Sequence, residues 1–496
     1  MNALYSRFIT AALLLAVAIV PAAASDKKTK LDHAVGQSAT GPLDVIIRVV
    51  PGGHDAVRAR LAAKGRTVAG EHASINGFSA TIDARDLADL DRDPLVTSVS
   101  LNAVVHAHET AATPDAIVTM DMLRPIVGST ATGATGQGVV VAVIDSGFQD
   151  RPDLHSRIKA FYDFTVDGTA KATKATDPFG HGTHIAATIA SSGQENALRF
   201  RGIASDAQLV GLRVLDGLGA GKTSNVINAL AFATANKAAL GIDVINLSLG
   251  HPIYESAATD PLVQAVEAAV HAGIVVVVSA GNYGVNPAMG QPGYGGITSP
   301  GNAPSAITVG AVNTSGTLSR SDDFVAPYSS RGPSWMDGFA KPEVVAPGHR
   351  IVADMNGGGY LYKKYPAWQY KTSGAAGAYE RLSGSSMSAA VVSGVAALVL
   401  EANRTSLESD GTPTAPLNPY AVKAILQYTA TPLPDTDPLA QGSGEINADG
   451  AVALTRALDT RSTPWTVSSL PTSTTFGTET DVWSTISSGA RWCCRI

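Results

Sequence analysis

The most regular pattern in the chain is a series of short, nearly uninterrupted apolar runs, separated by segments in which apolar residues recur every three or four positions. Runs of this kind, rich in Val and Ile, indicate strands buried on both faces, and the segments between them indicate helices. Strands are expected at residues 139–144, 209–215, 244–249, 274–279 and 306–312. Helices are expected at residues 181–191, 224–239, 261–272, 386–403 and 419–429. The alternation predicts a three-layer α/β fold with a mostly parallel central sheet covered by helices.

A second, shorter pattern precedes this one. Strand-like runs at residues 44–50, 77–82 and 96–101 enclose helix-like runs at 54–64 and 84–91. This order is typical of a small ferredoxin-like α+β domain built as a split βαβ sandwich. The stretch that follows ends in an Ala/Thr/Gly-rich segment, which predicts an exposed linker.

The two ends of the chain differ from the rest in composition. Arg7 precedes an apolar stretch at residues 8–20, and Ala22-Ala23-Ala24 follows it. This pattern predicts a secretory signal peptide at residues 1–24, too short to serve as a membrane span. Residues 25–43 are polar and are expected to form a flexible leader. The Ser/Thr-rich residues 461–496 are expected to form a tail, either a stalk or a truncated appendage.

Composition narrows the class of protein further. Only 16% of the 496 residues are charged and the net charge is −6, so no electrostatic argument supports a nucleic-acid partner. The two cysteines, Cys493 and Cys494, are adjacent at the end of the chain and cannot provide a disulfide framework. We therefore expect a secreted protein, extracellular or periplasmic, that is stabilised by packing, has no membrane association after signal removal and is monomeric.

Three separated segments carry residues that could act together in catalysis. Asp145 ends an apolar strand, His181 opens a helix within G-H-G-T-H, and Ser386 opens another helix within G-S-S-M-S. A serine hydroxyl is a weak nucleophile unless a base removes its proton, and an imidazole, which titrates near neutral pH, does this well when a carboxylate orients it. The order Asp, His, Ser is one of the chain orders in which such triads occur on unrelated folds.

These segments resemble the motif blocks of the subtilisin-like serine proteases, the subtilases. Two further blocks match as well, N-L-S-L-G at residues 246–250 and S-A-G-N at 279–282, so that the resemblance covers roughly residues 136–458. Within the serine block the family usually has Thr, Ala and Pro where this chain has Ser385, Ser388 and Ala390. The runs I-N-G-F-S-A and D-P-L-V-T-S-V, at 75–80 and 93–99, resemble the family's inhibitory propeptide. The resemblance implies an inhibitor-type propeptide at 44–108, a linker at 109–137 and a subtilisin-like catalytic domain at 138–460.

The resemblance also assigns roles to individual residues. It implies that Asp145, His181 and Ser386 form the triad, and that the oxyanion hole uses the Asn282 side chain and the Ser386 backbone N–H. It further implies substrate strands that hold an extended peptide by backbone pairing, because glycines let a peptide main chain approach closely. The implied substrate-binding residues are Gly219, Ala220, Gly221, Ser248, Leu249, Gly250, Ser279, Ala280 and Gly281.

Several other patterns invite a different interpretation. G-L-G-A-G-K-T at 217–223 is close to a phosphate-binding loop, but Asp216 stands where the first glycine is required. His184 lies one turn after His181, yet the H-E-x-x-H pattern of zinc hydrolases does not occur, so His184 is expected to be structural and no catalytic metal is expected. Asp153 resembles a family calcium ligand, which leaves a structural calcium open. A Gly/Tyr-rich insert at 356–381 is expected to be a surface loop.

The sequence thus predicts a secreted serine endopeptidase, made as a self-processing zymogen, that hydrolyses extended polypeptides through an acyl-enzyme without a cofactor and is inhibited by its own propeptide. A non-catalytic binding protein that has kept the fold is one alternative. An acyl transferase that ligates peptides instead of hydrolysing them is another.

Overall fold

The computed structural model describes residues 29–38, 40–107, 116–371, 377–408 and 410–460, and beyond them the backbone of three short strands. The predicted signal peptide and the cysteine pair lie outside the described residues. The predicted linker is described only from residue 116 onward, and that part is not exposed as expected, because Val118, Met120 and Leu123 are buried in the main hydrophobic core.

The N-terminal unit is a four-stranded antiparallel sheet with helices and one additional strand. Its elements are α1 (His33–Gly36), β1 (Pro42–Val49), α2 (His54–Ala63), β2 (Thr67–His72), β3 (Gly77–Asp83), α3 (Leu87–Arg92), β4 (Val96–Leu101) and β5 (Val104–Ala107), with 3₁₀ turns at Ala73–Ile75 and Ala84–Asp86. The strand order is β2-β3-β1-β4, the arrangement expected of a split βαβ sandwich. Part of the predicted leader is ordered, since α1 lies against the main unit with the His33 N–H bonded to the Tyr254 carbonyl at 2.9 Å.

The main unit contains the remaining elements. Its strands are β6 (Val118–Thr119), β7 (Val140–Asp145), β8 (Ile158–Asp163), β9 (Lys171–Ala172), β10 (Gln208–Arg213), β11 (Ala220–Lys222), β12 (Ile242–Leu247), β13 (Leu249–Gly250), β14 (Val275–Ser279), β15 (Val285–Asn286), β16 (Gln291–Pro292), β17 (Ile307–Asn313), β18 (Phe324–Val325), β19 (Val344–Pro347), β20 (Ile351–Asp354), β21 (Gln369–Tyr370), β22 (Tyr379–Leu382), β23 (Leu458–Asp459), β24 (Thr466–Val467), β25 (Ser473–Phe476) and β26 (Glu479–Val482). Its helices are α4 (Met120–Ile126), α5 (Pro152–His155), α6 (His181–Ala190), α7 (Thr223–Ala235), α8 (Lys237–Leu240), α9 (Pro261–His271), α10 (Tyr360–Lys364), α11 (Ser385–Thr405), α12 (Pro419–Thr429), α13 (Pro438–Gln441) and α14 (Ala448–Ala457), with 3₁₀ turns at Gln194–Asn196 and Pro366–Trp368.

The central sheet has the order β18-β17-β14-β12-β7-β10-β8-β9, with β19 also paired to β17. Its interior pairs are parallel, and β9 and β18 are antiparallel additions at the edges. Strand β7 shows why its sequence is apolar throughout. Val141 and Val143 pack in one core with α6 and α11, while Ala142 and Ile144 pack in a second core with α7 and α9. The sheet is therefore covered on both faces, as the apolar runs predict.

Helix α11 is apolar and long enough to cross a membrane by length and composition. Nearly all of it is buried inside the protein, so it is the core helix of this fold. Its N-terminus lies at the carboxyl edge of the sheet, where the candidate site lies.

Candidate active site

The carboxyl ends of three neighbouring parallel strands bring the candidate residues together. Strand β7 ends at Asp145, β12 ends one residue before Ser248, and β14 ends at Ser279. Ile144 lies opposite Leu247, and Leu247 lies opposite Val278, so the residues that follow stand side by side. This edge is where open α/β sheets place their sites.

His181 is the first residue of α6 and contacts Asp145 directly. Its Nδ1 lies 2.8 Å from Asp145 Oδ1 and 3.0 Å from Oδ2, and both side chains are fully buried. Because a carboxylate only accepts hydrogen bonds, Nδ1 is the protonated nitrogen and the basic lone pair of the neutral ring is on Nε2. The imidazole is thus held in the tautomer that a general base requires.

Asp177, which the sequence reasoning missed, holds these two segments in place. Its carboxylate accepts hydrogen bonds from the Gly180 and Thr183 N–H groups at 2.8 Å, from the Ser146 hydroxyl at 2.8 Å and from the Thr183 hydroxyl at 2.6 Å. Burial raises the pKa of Asp177 to about 6, against the lowering effect of these bonds. Its position just before a helix that begins at His181 was the available signal, because a carboxylate at a helix N-terminus satisfies unpaired N–H groups.

Close backbone contact keeps the Asp145 and His181 segments together. The Gly182 N–H donates to Ser146 Oγ at 3.0 Å, and a Cβ at Gly182 would lie 1.8 Å from the Gly147 carbonyl oxygen. Any side chain at Gly182 would therefore push α6 away from the end of β7, which explains the second glycine of the G-H-G-T-H motif.

Ser386, the second residue of α11, contacts the strand end next to Asp145. Its hydroxyl donates to the Ser248 carbonyl at 3.2 Å, and the Ser248 hydroxyl donates to the Ser386 carbonyl at 3.1 Å. Both serines are fully buried. The candidate nucleophile is therefore attached to the segment that continues directly into β13.

Asn282 is oriented by the residue before Ser386. Asn282 Oδ1 accepts from both the N–H and the hydroxyl of Ser385 at 3.0 Å, and Ser385 Oγ accepts from the Gly281 N–H at 3.1 Å. The Asn282 Nδ2 group is buried and has no hydrogen-bond partner among the described residues. A buried donor without a partner is rare in folded proteins, and one at a helix N-terminus is suited to an oxygen that a ligand brings.

The predicted substrate strands do not pair with each other, because β5 lies between them. Strand β5 is antiparallel to both β11 and β13, and His106 lies opposite Ala220 on one side and Gly250 on the other. Since β13 runs away from Ser248, the antiparallel β5 runs toward it. The N-terminal unit thus fills the groove with an extended backbone that leads to Ser386.

The insert after β20 is not the plain surface loop that its composition predicted. It contains α10, β21 and β22, and its backbone bonds to the turn before His181, with Tyr360 N–H to the Pro178 carbonyl at 2.9 Å and Leu361 N–H to the Phe179 carbonyl at 3.0 Å. The Tyr360 ring stacks on Phe179 at 6.0 Å between centroids. Its aromatic residues pack against the core instead of facing solvent, a tertiary contact that composition does not reveal.

His184 and the glycine-rich segment after Asp216, which suggested a metal site and a phosphate site, both make structural contacts instead. His184 is fully buried, burial lowers its pKa to about 4, and its Nε2 lies 3.0 Å from the Ile351 carbonyl. Asp216 accepts from the Leu218 and Ala220 N–H groups at 2.8 and 3.1 Å, so the glycine-rich segment forms a tight turn around a carboxylate. Backbone donors that are already bound by an aspartate do not form a phosphate cradle.

One group of three carboxylates lies close enough together to hold a metal ion, judged only by the distances between their oxygens. Asp153, Glu195 and Asp354 each offer an oxygen, and these oxygens lie within 4.8 Å of one another. This group includes the residue for which the sequence resemblance left calcium open, and Arg151 lies next to it.

Comparisons with known proteins identify the family of the chain. The family model described as the subtilase family, Peptidase_S8, matches residues 136–447. Serine protease AprX of Bacillus subtilis is 37% identical over 323 residues, which cover 64% of this chain and 67% of that protein. Subtilisin E of the same species is 32% identical over 396 residues, which cover 79% of this chain and 84% of that protein.

A solved structure gives the same fold. The crystal structure of fervidolysin from Fervidobacterium pennivorans, described as a keratinolytic enzyme related to subtilisin, matches with a TM-score of 0.62 and 23% identity. The match covers 84% of this chain and 61% of that chain. At this identity the likeness concerns the fold alone.

Proposed function

The chain belongs to the subtilase family of serine endopeptidases, and from this premise we propose that it is a secreted zymogen that hydrolyses peptide bonds through Asp145, His181 and Ser386. The observation that carries the proposal is the fully buried hydrogen bond between His181 Nδ1 and Asp145. A buried imidazole whose Nδ1 is bound to a carboxylate is oriented as a general base.

In the proposed mechanism, His181 Nε2 takes the proton of the Ser386 hydroxyl as the serine oxygen attacks the peptide carbonyl. The imidazolium is stabilised by Asp145 and gives the proton to the leaving amine as the C–N bond breaks. Water then attacks the acyl-enzyme ester, again with His181 as base, and releases the acid and Ser386. Subtilases carry out this chemistry without a cofactor.

The oxyanion is stabilised by Asn282 Nδ2 and the Ser386 backbone N–H in this proposal. Asn282 cannot rotate to offer its oxygen instead, because Oδ1 is bound by two Ser385 donors. A donor that is fixed before the reaction stabilises developing charge without reorganisation. The substrate backbone would occupy the groove between β11 and β13, flanked by the strand end at residues 279–281.

The N-terminal unit is proposed to be an inhibitory propeptide. Support comes from β5, which occupies the groove between β11 and β13 and points toward Ser386. Cleavage is expected just beyond β5, in residues 108–115. The signal-peptide pattern supports secretion, and we propose a monomer acting on extended segments of proteins.

The resemblance leaves a structural calcium ion at Asp153 open. Its candidate place is the carboxylate group described above, where Arg151 competes with such an ion.

The test is expression of the full chain and of Ser386→Ala, followed by intact mass spectrometry, labelling with a fluorophosphonate and digestion of a peptide library. We expect the parent chain to shorten to a form that begins in residues 108–115, to take the label and to cleave peptides. The Ser386→Ala chain should keep its propeptide and take no label. A full-length, unlabelled parent chain would favour a binding protein, and ligated products in the presence of an added amine would favour acyl transfer.

A further inference from the structure

A charged side chain of the protein itself, Arg151, lies beside the carboxylates of Glu195 and Asp354, which form one group with Asp153. Arg151 Nη2 lies 3.4 Å from Glu195 Oε2 and 3.8 Å from Asp354 Oδ1. Asp153 and Asp354 are fully buried, and Arg151 and Glu195 keep less than a fifth of their side-chain surface exposed. The guanidinium therefore lies within 4 Å of two of these carboxylates.

The remaining contacts of the carboxylates leave part of their charge unmatched. Asp153 Oδ1 accepts from the Ser192 hydroxyl at 3.1 Å and from the Glu195 N–H at 2.9 Å, while Asp354 Oδ2 accepts from the Ser191 hydroxyl at 3.2 Å. The other oxygens, Asp153 Oδ2 and Asp354 Oδ1, accept no hydrogen bond from a described residue. Buried carboxylate oxygens of this kind need a cation close by.

The backbone provides space for the guanidinium at this place. Gly377 has φ +109°, and a Cβ there would lie 2.4 Å from Arg151 Nη2. Any other residue at 377 would displace the guanidinium from the carboxylates. The residue two positions before β22 thus leaves room for the Arg151 guanidinium.

A calcium ion does not fit this arrangement. Calcium takes six to eight oxygen ligands at about 2.3–2.6 Å, and three side chains with Arg151 among them do not provide such a shell. An arginine keeps its charge in proteins, so an ion held by the same oxygens would be repelled by it. The residues present therefore supply one internal positive charge beside the carboxylates.

We propose that Arg151 replaces the divalent cation at this place, so that the turn after α6, helix α5 and the end of β20 are held together without metal. The consequence for the site is direct, because α6 begins with His181 and Asp153 follows Asp145 by eight residues. A fixed internal cation would keep these two segments in register in a medium that contains chelators or little calcium.

The test compares thermal unfolding with added calcium and with EDTA, in a Ser386→Ala background so that autolysis plays no part. We expect the midpoint of the Ser386→Ala chain to be the same in both media. In Arg151→Met the midpoint in EDTA should fall by roughly 5–15 °C, because removing one partner of a buried ion pair leaves the other uncompensated. Calcium should recover part of this loss, because the freed carboxylates can then bind it.

Arg157→Met is the matched control. Arg157 is bound to Asp206 at 2.8 Å, just after α5 and outside the carboxylate group. We expect a small loss of stability that is the same with calcium and with EDTA. A calcium response equal to that of Arg151→Met would overturn the proposal.

Two further results would overturn it. One is a rise of the Ser386→Ala midpoint with calcium that Asp354→Asn abolishes, since the metal would then bind with Arg151 in place. The other is an Arg151→Met chain that is as stable as its parent in EDTA.

If Arg151→Met does not fold, calorimetric titration of the Ser386→Ala chain with calcium decides. Calcium binding that is lost in Asp354→Asn would refute the proposal. None of these measurements depends on proteolytic activity, so they stand apart from the proposed function.

Discussion

Ser248 and Ser386 exchange two hydrogen bonds, each hydroxyl donating to the carbonyl of the other residue at 3.2 and 3.1 Å. Ser248 leads into β13, one wall of the groove, and Ser386 lies at the start of α11. The two hydrogen bonds therefore fix the position of the proposed nucleophile, Ser386, relative to β13, the strand that would bind the substrate backbone. Positioning of this kind matters because small displacements of reacting groups have large effects on rate.

Ser393 extends this arrangement and gives the first prediction. Its hydroxyl donates to Asn246 Oδ1 at 2.9 Å, and Asn246 Nδ2 donates to Ser248 Oγ at 2.9 Å. In Ser393→Ala the buried Asn246 oxygen loses its donor, at a cost of about 1–3 kcal/mol, and Ser248 loses its orientation. We expect kcat on a peptide substrate to fall roughly tenfold with little change in KM, and Ser393→Thr to restore most of it.

Ser388→Ala is the control on the same helix. Ser388 is equally buried and donates to the Ala346 carbonyl at 2.9 Å, but it has no link to Ser248. We expect a comparable loss of stability and an unchanged kcat. Equal losses of kcat in the two variants would mean that the chain from Ser393 to Ser248 has no positioning role.

Asn282→Asp is the second prediction. Aspartate keeps an oxygen that can accept from Ser385 but replaces the Nδ2 donor by a second acceptor. We expect kcat to fall by about 10²–10³, the loss known for removal of the corresponding donor in a subtilisin, with KM almost unchanged. Full activity in this variant, measured by steady-state kinetics after active-site titration, would exclude Asn282 from the oxyanion hole.

His72 predicts that acid loosens the N-terminal unit. It is buried against α7, with Nδ1 2.7 Å from Asn228 Oδ1 and Nε2 2.6 Å from Ser79 Oγ, and burial lowers its pKa below 6.5. The docked state therefore disfavours the proton that the undocked histidine takes up, so docking weakens as pH falls below about 6.5. Hydrogen exchange of β5 should become faster at pH 5 than at pH 6.5, after correction for intrinsic rates, in the Ser386→Ala chain with Glu255→Gln added so that the buried Glu255 carboxyl does not titrate over the same range.

His72→Gln provides the control because it keeps a hydrogen-bonding side chain that does not titrate. Its acid response should be much smaller than that of the parent. An identical response would assign the acid effect to other groups.

The environment of Glu255 predicts that docking of the N-terminal unit also weakens as the pH rises toward 8. It is buried between the two units near Asp32, Arg48 and Asp260, and burial together with the charge of Asp260 raises its pKa to about 8. We take the pKa of the Glu255 carboxyl in the undocked state to be the ordinary value near 4.5, so that docking of the N-terminal unit takes up a proton. The equilibrium constant for docking then falls about tenfold per pH unit between 4.5 and 8.

We therefore expect β5 exchange in the Ser386→Ala chain to accelerate between pH 6.5 and 8, where His72 no longer contributes. Glu255→Gln, which cannot ionise, should flatten this rise. A rise of the same slope in both chains would contradict the assignment to Glu255.

Much of the fold could be predicted from apolar runs because its strands are buried on both faces. Errors occur where a run continues past the end of a strand. The expected strand at residues 209–215 ends at Arg213, because the N–H groups of Val214 and Leu215 turn to bind the Asp145 carbonyl instead. The helix expected at 224–239 is interrupted at Asn236, whose side chain bonds back to the Phe232 carbonyl.

The candidate site could be predicted only in part. Motif spacing pointed to Asp145, His181 and Ser386, and the structure places His181 on Asp145 and Ser386 on Ser248. Asp177 escaped notice because its role lies in bonds to backbone N–H groups, which leave no spacing pattern of their own. The family resemblance predicts that the C-terminal end of the propeptide, near residues 104–113, lies in the substrate cleft. The four residues of β5 alone do not give this position, because it depends on pairing with strands more than a hundred residues away.

Strand β5 pairs with both β11 and β13, and in the described part of the chain these two strands do not pair with each other. If β5 leaves, the backbone N–H and carbonyl groups of β11 and β13 that bonded to it lose their partners. The two strands then face each other across a gap one strand wide. Such a gap recognises main chain, which every protein shares, and can enter a compact target only where several consecutive residues can be straightened. We therefore expect this site to accept unfolded or flexible polypeptide segments as substrates, and we expect tightly folded proteins to resist cleavage.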